Sequence, residues 1–140
     1  MTTSTTIFTP AELAYLRGQR LARLATLGPD GAPQVRPVGF LANADTGTID
    51  IPGLDNPSTQ KWRNVLADER VSFVVDDVVP RPWRPRAFEV RGVAEALPDV
   101  LHADAFPGIR PGVIRIHPRR ILVFGLDDPD SPGNRDLPPG

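Results

Sequence analysis

The apolar positions change period several times along the chain, and each change marks an element. Thr9-Pro10-Ala11-Glu12 opens a helix: Thr9 is placed to cap it, Pro10 suits the first helical position, and Glu12 completes a capping box. Phe8 and Leu13 are spaced as a hydrophobic staple, and Gly18 stops the helix after Arg17. Residues 21–27 read as a strand, with Leu21, Arg23, Ala25 and Leu27 on one face and Ala22, Leu24 and Thr26 on the other. The turn cluster at 28–33 joins it to a second strand at 34–41, forming a hairpin. Pro37 lies inside that second strand. It has no N–H for a ladder, so the position belongs at an edge, at a bulge or facing a ligand.

A turn at 43–47 leads to a third strand at 48–52, and a polar, turn-rich stretch occupies 53–58. Residues 58–67 predict a second helix, capped by Ser58, with Trp62, Val65 and Leu66 on its buried face. A strand follows at 70–75. Pro80, Pro82 and Pro85 then read as a loop without regular structure over 79–86. A long strand at 87–97 carries Gly92 as a bulge, and 99–105 reads as a helical turn. Strands at 113–116 and 121–124 are separated by His117-Pro118. The expected fold is mainly β: a barrel or sandwich of six or seven short strands with two or three short helices. Residues 1–7 read as a flexible start and 8–126 as one domain. The polar tail at 127–140 reads as too poor in apolar residues to order itself.

Composition narrows the possible functions. The chain has 140 residues, with 16 Lys+Arg against 17 Asp+Glu, a formal charge of −1. It lacks the basic surplus that non-specific binding to nucleic acid or anionic membrane requires. With no cysteine there is no disulfide framework, thiolate metal site or thiol nucleophile. No apolar run approaches the ~18 residues of a membrane helix, and the Thr/Ser-rich start is not a secretory signal, so a cytoplasmic protein is expected. Proline is abundant, 17 of 140 residues against a usual ~5%. Lys61 is the sole lysine among the 16 cations.

Nucleotide-loop, zinc-protease and hydrolase signatures are absent. His102 and His117 lie far apart without carboxylates at metal-ligand spacing, and Asp76-Asp77 reads as a solvated strand end. Three features carry binding chemistry. The stretch Ser58-Thr59-Gln60-Lys61-Trp62-Arg63-Asn64 puts hydroxyls, free N–H groups and cations at a helix start, which is what a phosphate needs. Arg36-Pro37-Val38 adds a strand-edge cation beside a position open to a planar ligand. Pro82-Trp83-Arg84-Pro85-Arg86 presents an aromatic ring and two guanidiniums to an anionic or aromatic ligand.

In this order the three features resemble the flavin-reductase-like split β-barrel proteins. More narrowly, the chain resembles the pyridoxamine 5′-phosphate oxidase-like group that uses the deazaflavin coenzyme F420. Further matching stretches are Phe8-Thr-Pro-Ala-Glu-Leu, Arg23-Leu-Ala-Thr-Leu-Gly-Pro-Asp-Gly, Thr48-Ile-Asp-Ile, Glu89-Val-Arg-Gly and Ile114-Arg-Ile-His-Pro-Arg-Arg-Ile. The resemblance implies a split β-barrel homodimer with two cofactor sites at the interface. It implies that Arg36, Thr59, Gln60 and Lys61 hold the cofactor phosphate, and that the ring lies against the backbone at Pro37, Val38 and Ile51. It brings Trp83 to Arg86 of the partner subunit toward the site, with Arg63, Arg84 and Arg86 meeting the acidic oligoglutamate tail of F420. Leu41 stands about where the true oxidases carry a lysine, and Phe124 with the polar tail replaces their late Trp and Arg. The expected activity is therefore hydride transfer from reduced F420 to an electron-poor small molecule, with no essential protein nucleophile. An FMN-dependent oxidoreductase of the same fold, and a non-catalytic flavin, deazaflavin or tetrapyrrole carrier, share the same signature.

Overall fold

A computed structural model of the chain describes residues 7–102 and 107–139. Helix α1 (Pro10–Arg17) begins with the expected capping box: Thr9 Oγ1 accepts from Glu12 N, and Glu12 Oε1 accepts from Thr9 N. Strands β1 (Ala22–Leu27) and β2 (Pro33–Val38) form the first hairpin. The second expected strand is broken after Val38, and its end becomes β3 (Leu41–Asn43), which pairs with β4 (Thr48–Ile51). Helix α2 (Gln60–Ala67) leads into β5 (Arg70–Pro80), β6 (Trp83–Leu97) and β7 (Val113–Phe124), and a short β8 (Arg135–Asp136) closes the chain. The order β2-β1-β5-β6-β7-β4-β3 is antiparallel throughout, and β8 lies on β7. This curled sheet is the expected split β-barrel. Among the described residues no helix is long and apolar enough to cross a membrane.

Strand alternation fills the barrel. Ala22, Leu24 and Thr26 of β1, Val71, Phe73 and Val75 of β5, and Phe88 and Val90 of β6 point inward, each less than a tenth exposed. Ile114, Ile116 and Ile121 of β7 and Ile49 and Ile51 of β4 complete the core, and Phe8, Leu16, Trp62 and Val65 cover it from the helical side. Burying each large side chain contributes about 1.5–3 kcal/mol. Leu66, expected on the buried face of α2, is 67% exposed. The helix instead turns Asn64, 2% exposed, inward beside Trp62 and Val65.

Three sequence expectations are corrected. The proline-rich stretch 79–86 is a hairpin, with Pro80 opposite Trp83 and Pro85 opposite Val78. There β5 has run past β1 and β6 has not yet met β7, so the arm is a two-stranded ribbon with open outer edges. Positions on such an edge have no ladder bond for proline to lose. His117-Pro118 does not split the last strand: β7 is continuous, with Arg119 inserted as a bulge opposite Gly92. A Cβ on Gly92 would sit 2.2 Å from the His117 carbonyl oxygen, which is why this position needs glycine.

The tail, third, is ordered over the described residues. Residues 135–136 pair with β7, Leu137 packs on the core, and Arg135 bonds the fully buried Glu12 with Nη1 and Nη2 at 3.0 and 2.7 Å. The polar run finds its partners in groups on α1 and β7 rather than in an apolar face of its own. Of the expected flexible start, residues 1–6 lie outside the described residues, while Ile7 packs on the core and its carbonyl accepts from Arg135. The expected helical turn at 99–105 falls partly on residues 103–106, which also lie outside them.

Candidate functional site

The entry to α2 is built by the stretch before it. Asn56 Nδ2 donates to the carbonyls of Ile51 (2.8 Å) and Gly112 (3.0 Å), and its backbone oxygen accepts from the Thr59 hydroxyl at 2.7 Å. With the amide fixed this way, Asn56 Oδ1 is buried without a hydrogen-bond partner among the described residues. It faces Gly53, where an added Cβ would lie 2.3 Å from it. Thr59, not Ser58, is the cap: its Oγ1 accepts from Trp62 N at 3.3 Å, while Ser58 sits in the 3-10 turn Asn56–Ser58. The first-turn N–H groups of Gln60 and Lys61 have no acceptor among the described residues, and the positive end of the helix dipole is added to them.

Arg36 stands on β2 opposite Leu24, on the same face as Gln34 and the buried Val38. That face meets α2, since Gln34 Oε1 accepts from Asn64 Nδ2 at 2.8 Å. Lys61 lies within electrostatic reach of Arg36. Burial, and then the Arg36 charge, pull its ammonium below the ordinary lysine value. Neither cation has a carboxylate or other hydrogen-bond acceptor among the described residues. Two cations with no counter-ion among the described residues, beside open helix N–H groups, have the chemistry that would suit a phosphate-class anion. Lys61→Ala is expected to weaken binding of a phosphate-bearing ligand by roughly 1.5–3 kcal/mol, the range for charge-assisted hydrogen bonds. Calorimetric titration of the variant checks this, and unchanged affinity would remove Lys61 from the site.

The other candidates are placed differently. Gln60 spends its amide on Asn64 Oδ1 and on Arg63, and Arg63 also donates to the Ser58 carbonyl. Pro37 is exposed on the outer face of β2, whereas Ile51 is fully buried in β4 and its carbonyl already accepts from Asn56. Trp83, 71% exposed, is at the tip of the arm. Its partner Pro80 lies seven residues along β5 from Phe73, the residue level with Leu24 and Arg36, so the tip is about 23 Å from that row at ~3.3 Å per residue. Within one chain the arm and the cation pair are separate.

The two arginines of the arm already hold carboxylates. Arg84 is paired with Asp127. Arg86 forks onto Asp77 and lies over the Tyr15 ring at 4.9 Å. Asp77, expected to be a solvated strand end, also accepts from Tyr15 Oη (3.0 Å) and Gln19 (3.4 Å). The Arg86 guanidinium holds the Asp77 carboxyl low, whereas burial and then Asp77 push the Tyr15 hydroxyl well above its ordinary value. Arg86 is thus a brace between the arm and α1.

The histidines do have carboxylate partners, reached across strands and so invisible to local spacing. His102 Nε2 lies 3.0 Å from Asp50 and His117 Nε2 2.7 Å from Glu95. Asp50, fully buried, also accepts from Arg115 at 2.9 and 3.0 Å and from Thr48 at 3.1 Å. Among the described residues no three His, Cys, Asp or Glu side chains are grouped to hold a metal.

The chain is 44% identical over 127 residues to a 5a,11a-dehydrotetracycline/5a,11a-dehydrooxytetracycline reductase of Streptomyces rimosus, covering 90% of this chain and 89% of that one. A solved structure described as an F420 reductase shares 27% identity at a TM-score of 0.54, over 73% of this chain and 88% of that one. The FAD binding protein from Mycobacterium smegmatis shares the fold at 21% identity and a TM-score of 0.59, over 86% of this chain and 98% of that one. The family model described as pyridoxamine 5′-phosphate oxidase matches residues 8–126. That span takes in both helices, strands β1 to β7 and the Arg36–Lys61 pair, and the chain therefore belongs to the pyridoxamine 5′-phosphate oxidase family, as an oxidoreductase of it.

Proposed function

We propose that this oxidoreductase is an F420H2-dependent reductase acting on an electron-poor small molecule. The observation that carries the reading is the Arg36–Lys61 pair, two uncompensated cations beside the open N–H groups of α2, which fits the phosphate of a flavin-type cofactor. Bound there, the deazaflavin supplies a hydride from its C5 to the acceptor. The chain's own residues bind and orient. Arg36 and Lys61 fix the phosphate. Arg63 holds only neutral oxygens and keeps its full charge for the acidic tail, whereas Arg84 and Arg86 are already neutralised by Asp127 and Asp77. The dehydro compound in the name of the Streptomyces relative points to an electron-poor carbon–carbon double bond as the acceptor class.

The same reading includes a homodimer. All of β2 before Val38 is exposed, and the outer sheet face carries Val35 (62% exposed), Phe124 (61%) and a groove of about 280 Å³ lined by Arg23, Ala25, Ser72 and Val74. A second copy on that face would bury this apolar strip and bring its arm to a cation pair that lies too far from the arm of its own chain.

Anaerobic mixing of the protein with F420H2 and a panel of electron-poor enones tests the reading, with the return of oxidised F420 followed by absorbance. Oxidation that requires both protein and acceptor is expected. Turnover with reduced FMN and none with F420H2 would replace the cofactor, and tight binding without turnover on any acceptor would make the protein a carrier.

A further inference from the structure

Asn64 lies one turn after Lys61 on α2 and is buried, yet its side chain is polar. All of its hydrogen-bonding groups are engaged. Nδ2 donates to Thr26 Oγ1 on β1 at 2.9 Å and to Gln34 Oε1 on β2 at 2.8 Å, and Oδ1 accepts from Gln60 Nε2 at 2.8 Å. A leucine would fill this place without needing three partners, so core packing alone does not explain an amide here. The elements it joins are the informative part. α2 carries Lys61, and β2 carries Arg36 two residues from Gln34 on the same face. β2 is an edge strand whose only strand neighbour among the described residues is β1. Like charges on the two elements push them apart, and the amide of Asn64 ties them together where that repulsion acts.

We propose that Asn64 is a positioning residue whose amide fork holds Arg36 and Lys61 at the spacing of one bound phosphate group before the ligand arrives. The proposal rests on reading that pair as a phosphate site. Its gain is preorganisation: the cost of bringing two cations together is met during folding instead of being subtracted from binding. Gln34 is part of the device, because it is the leg that reaches β2. Neither residue needs to touch the ligand.

The test is calorimetric titration with inorganic pyrophosphate of the wild type, Asn64→Leu, Lys61→Ala and the double variant, with a urea melt of each. Asn64→Leu is expected to weaken pyrophosphate binding about tenfold in the wild-type background and less than about twofold in the Lys61→Ala background, since the fork acts through the paired cations. A merely structural role would weaken binding by the same factor in both backgrounds and would overturn the proposal, as would wild-type affinity in Asn64→Leu. If Asn64→Leu does not fold, Gln34→Met at the exposed edge breaks the β2 leg alone and must show the same loss and the same dependence on Lys61. Equal pyrophosphate affinity in the wild type and Lys61→Ala would instead refute the phosphate site, and this proposal with it.

Discussion

Arg135→Ala is expected to cost roughly 3–5 kcal/mol of folding stability, the usual consequence of stripping one partner from a buried ion pair. Glu12 is fully buried, and its carboxylate is held by both Nη atoms of Arg135 and by the Thr9 N–H. Without Arg135 the charge would remain inside with a single backbone donor. The same guanidinium also satisfies the carbonyls of Ile7 and Gly133. For a domain whose whole stability is about 5–15 kcal/mol, this is a large fraction. Urea midpoints measure it. Asp136→Ala is the control, because Asp136 pairs with Arg120 at the surface, with side chains 82% and 39% exposed, and exposed pairs contribute little. A midpoint for Arg135→Ala within experimental error of wild type would mean that the tail is not held against α1 in solution.

Asp50→Ala is expected to cost about 3 kcal/mol at neutral pH and to alter the acid limb of stability. Burial pushes the Asp50 carboxyl up, but the fork from Arg115 and the bonds from His102 and Thr48 outweigh it and hold the group below its ordinary value. A carboxyl held low in the folded state contributes stability that is complete above its unfolded value, near 4, and is lost as pH falls toward the folded value. The wild type should therefore lose stability below about pH 4 faster than the variant, and the gap between them should narrow. Asp77 and Asp68, held low by Arg86 and Arg70, share this limb, so only the difference between wild type and variant isolates Asp50. Urea melts between neutral pH and pH 3 measure it. A gap that is constant with pH would show that the Asp50 ion pair is not formed.

The legible parts of the chain were those whose cause is local. The capping box at Thr9 and Glu12 and the alternation of β1 lie within a few residues of their effect, whereas the bulge expected at Gly92 is Arg119 of β7, and the need for glycine comes from the distant His117 carbonyl. The motifs behind the proposed phosphate site are local too, since the helix start at Thr59 and the strand-edge Arg36 are short stretches that form the elements expected of them. What was missed depends on partners far away in sequence. Asp50 meets Arg115 only after a strand pairing across 65 positions, and Leu66 is exposed because Asn64 turns inward to reach β1 and β2. The prolines of the arm seemed to forbid a hairpin because the open edges of a ribbon exist only once its neighbours are placed.

The contact between Glu12 and Arg135 spans 123 positions. Closing so long a loop is slow, and local contacts cannot substitute for it. In a chain made from the N-terminus onward, Glu12 of α1 emerges early and waits for Arg135 before its carboxylate is paired. Strands β1 to β7 can assemble in the meantime, but the Glu12 carboxylate gains its guanidinium only after Arg135 has been made. A chain cut short before Arg135 would thus leave the Glu12 carboxylate of α1 without its guanidinium, so a lesion late in the sequence would be felt at the first helix.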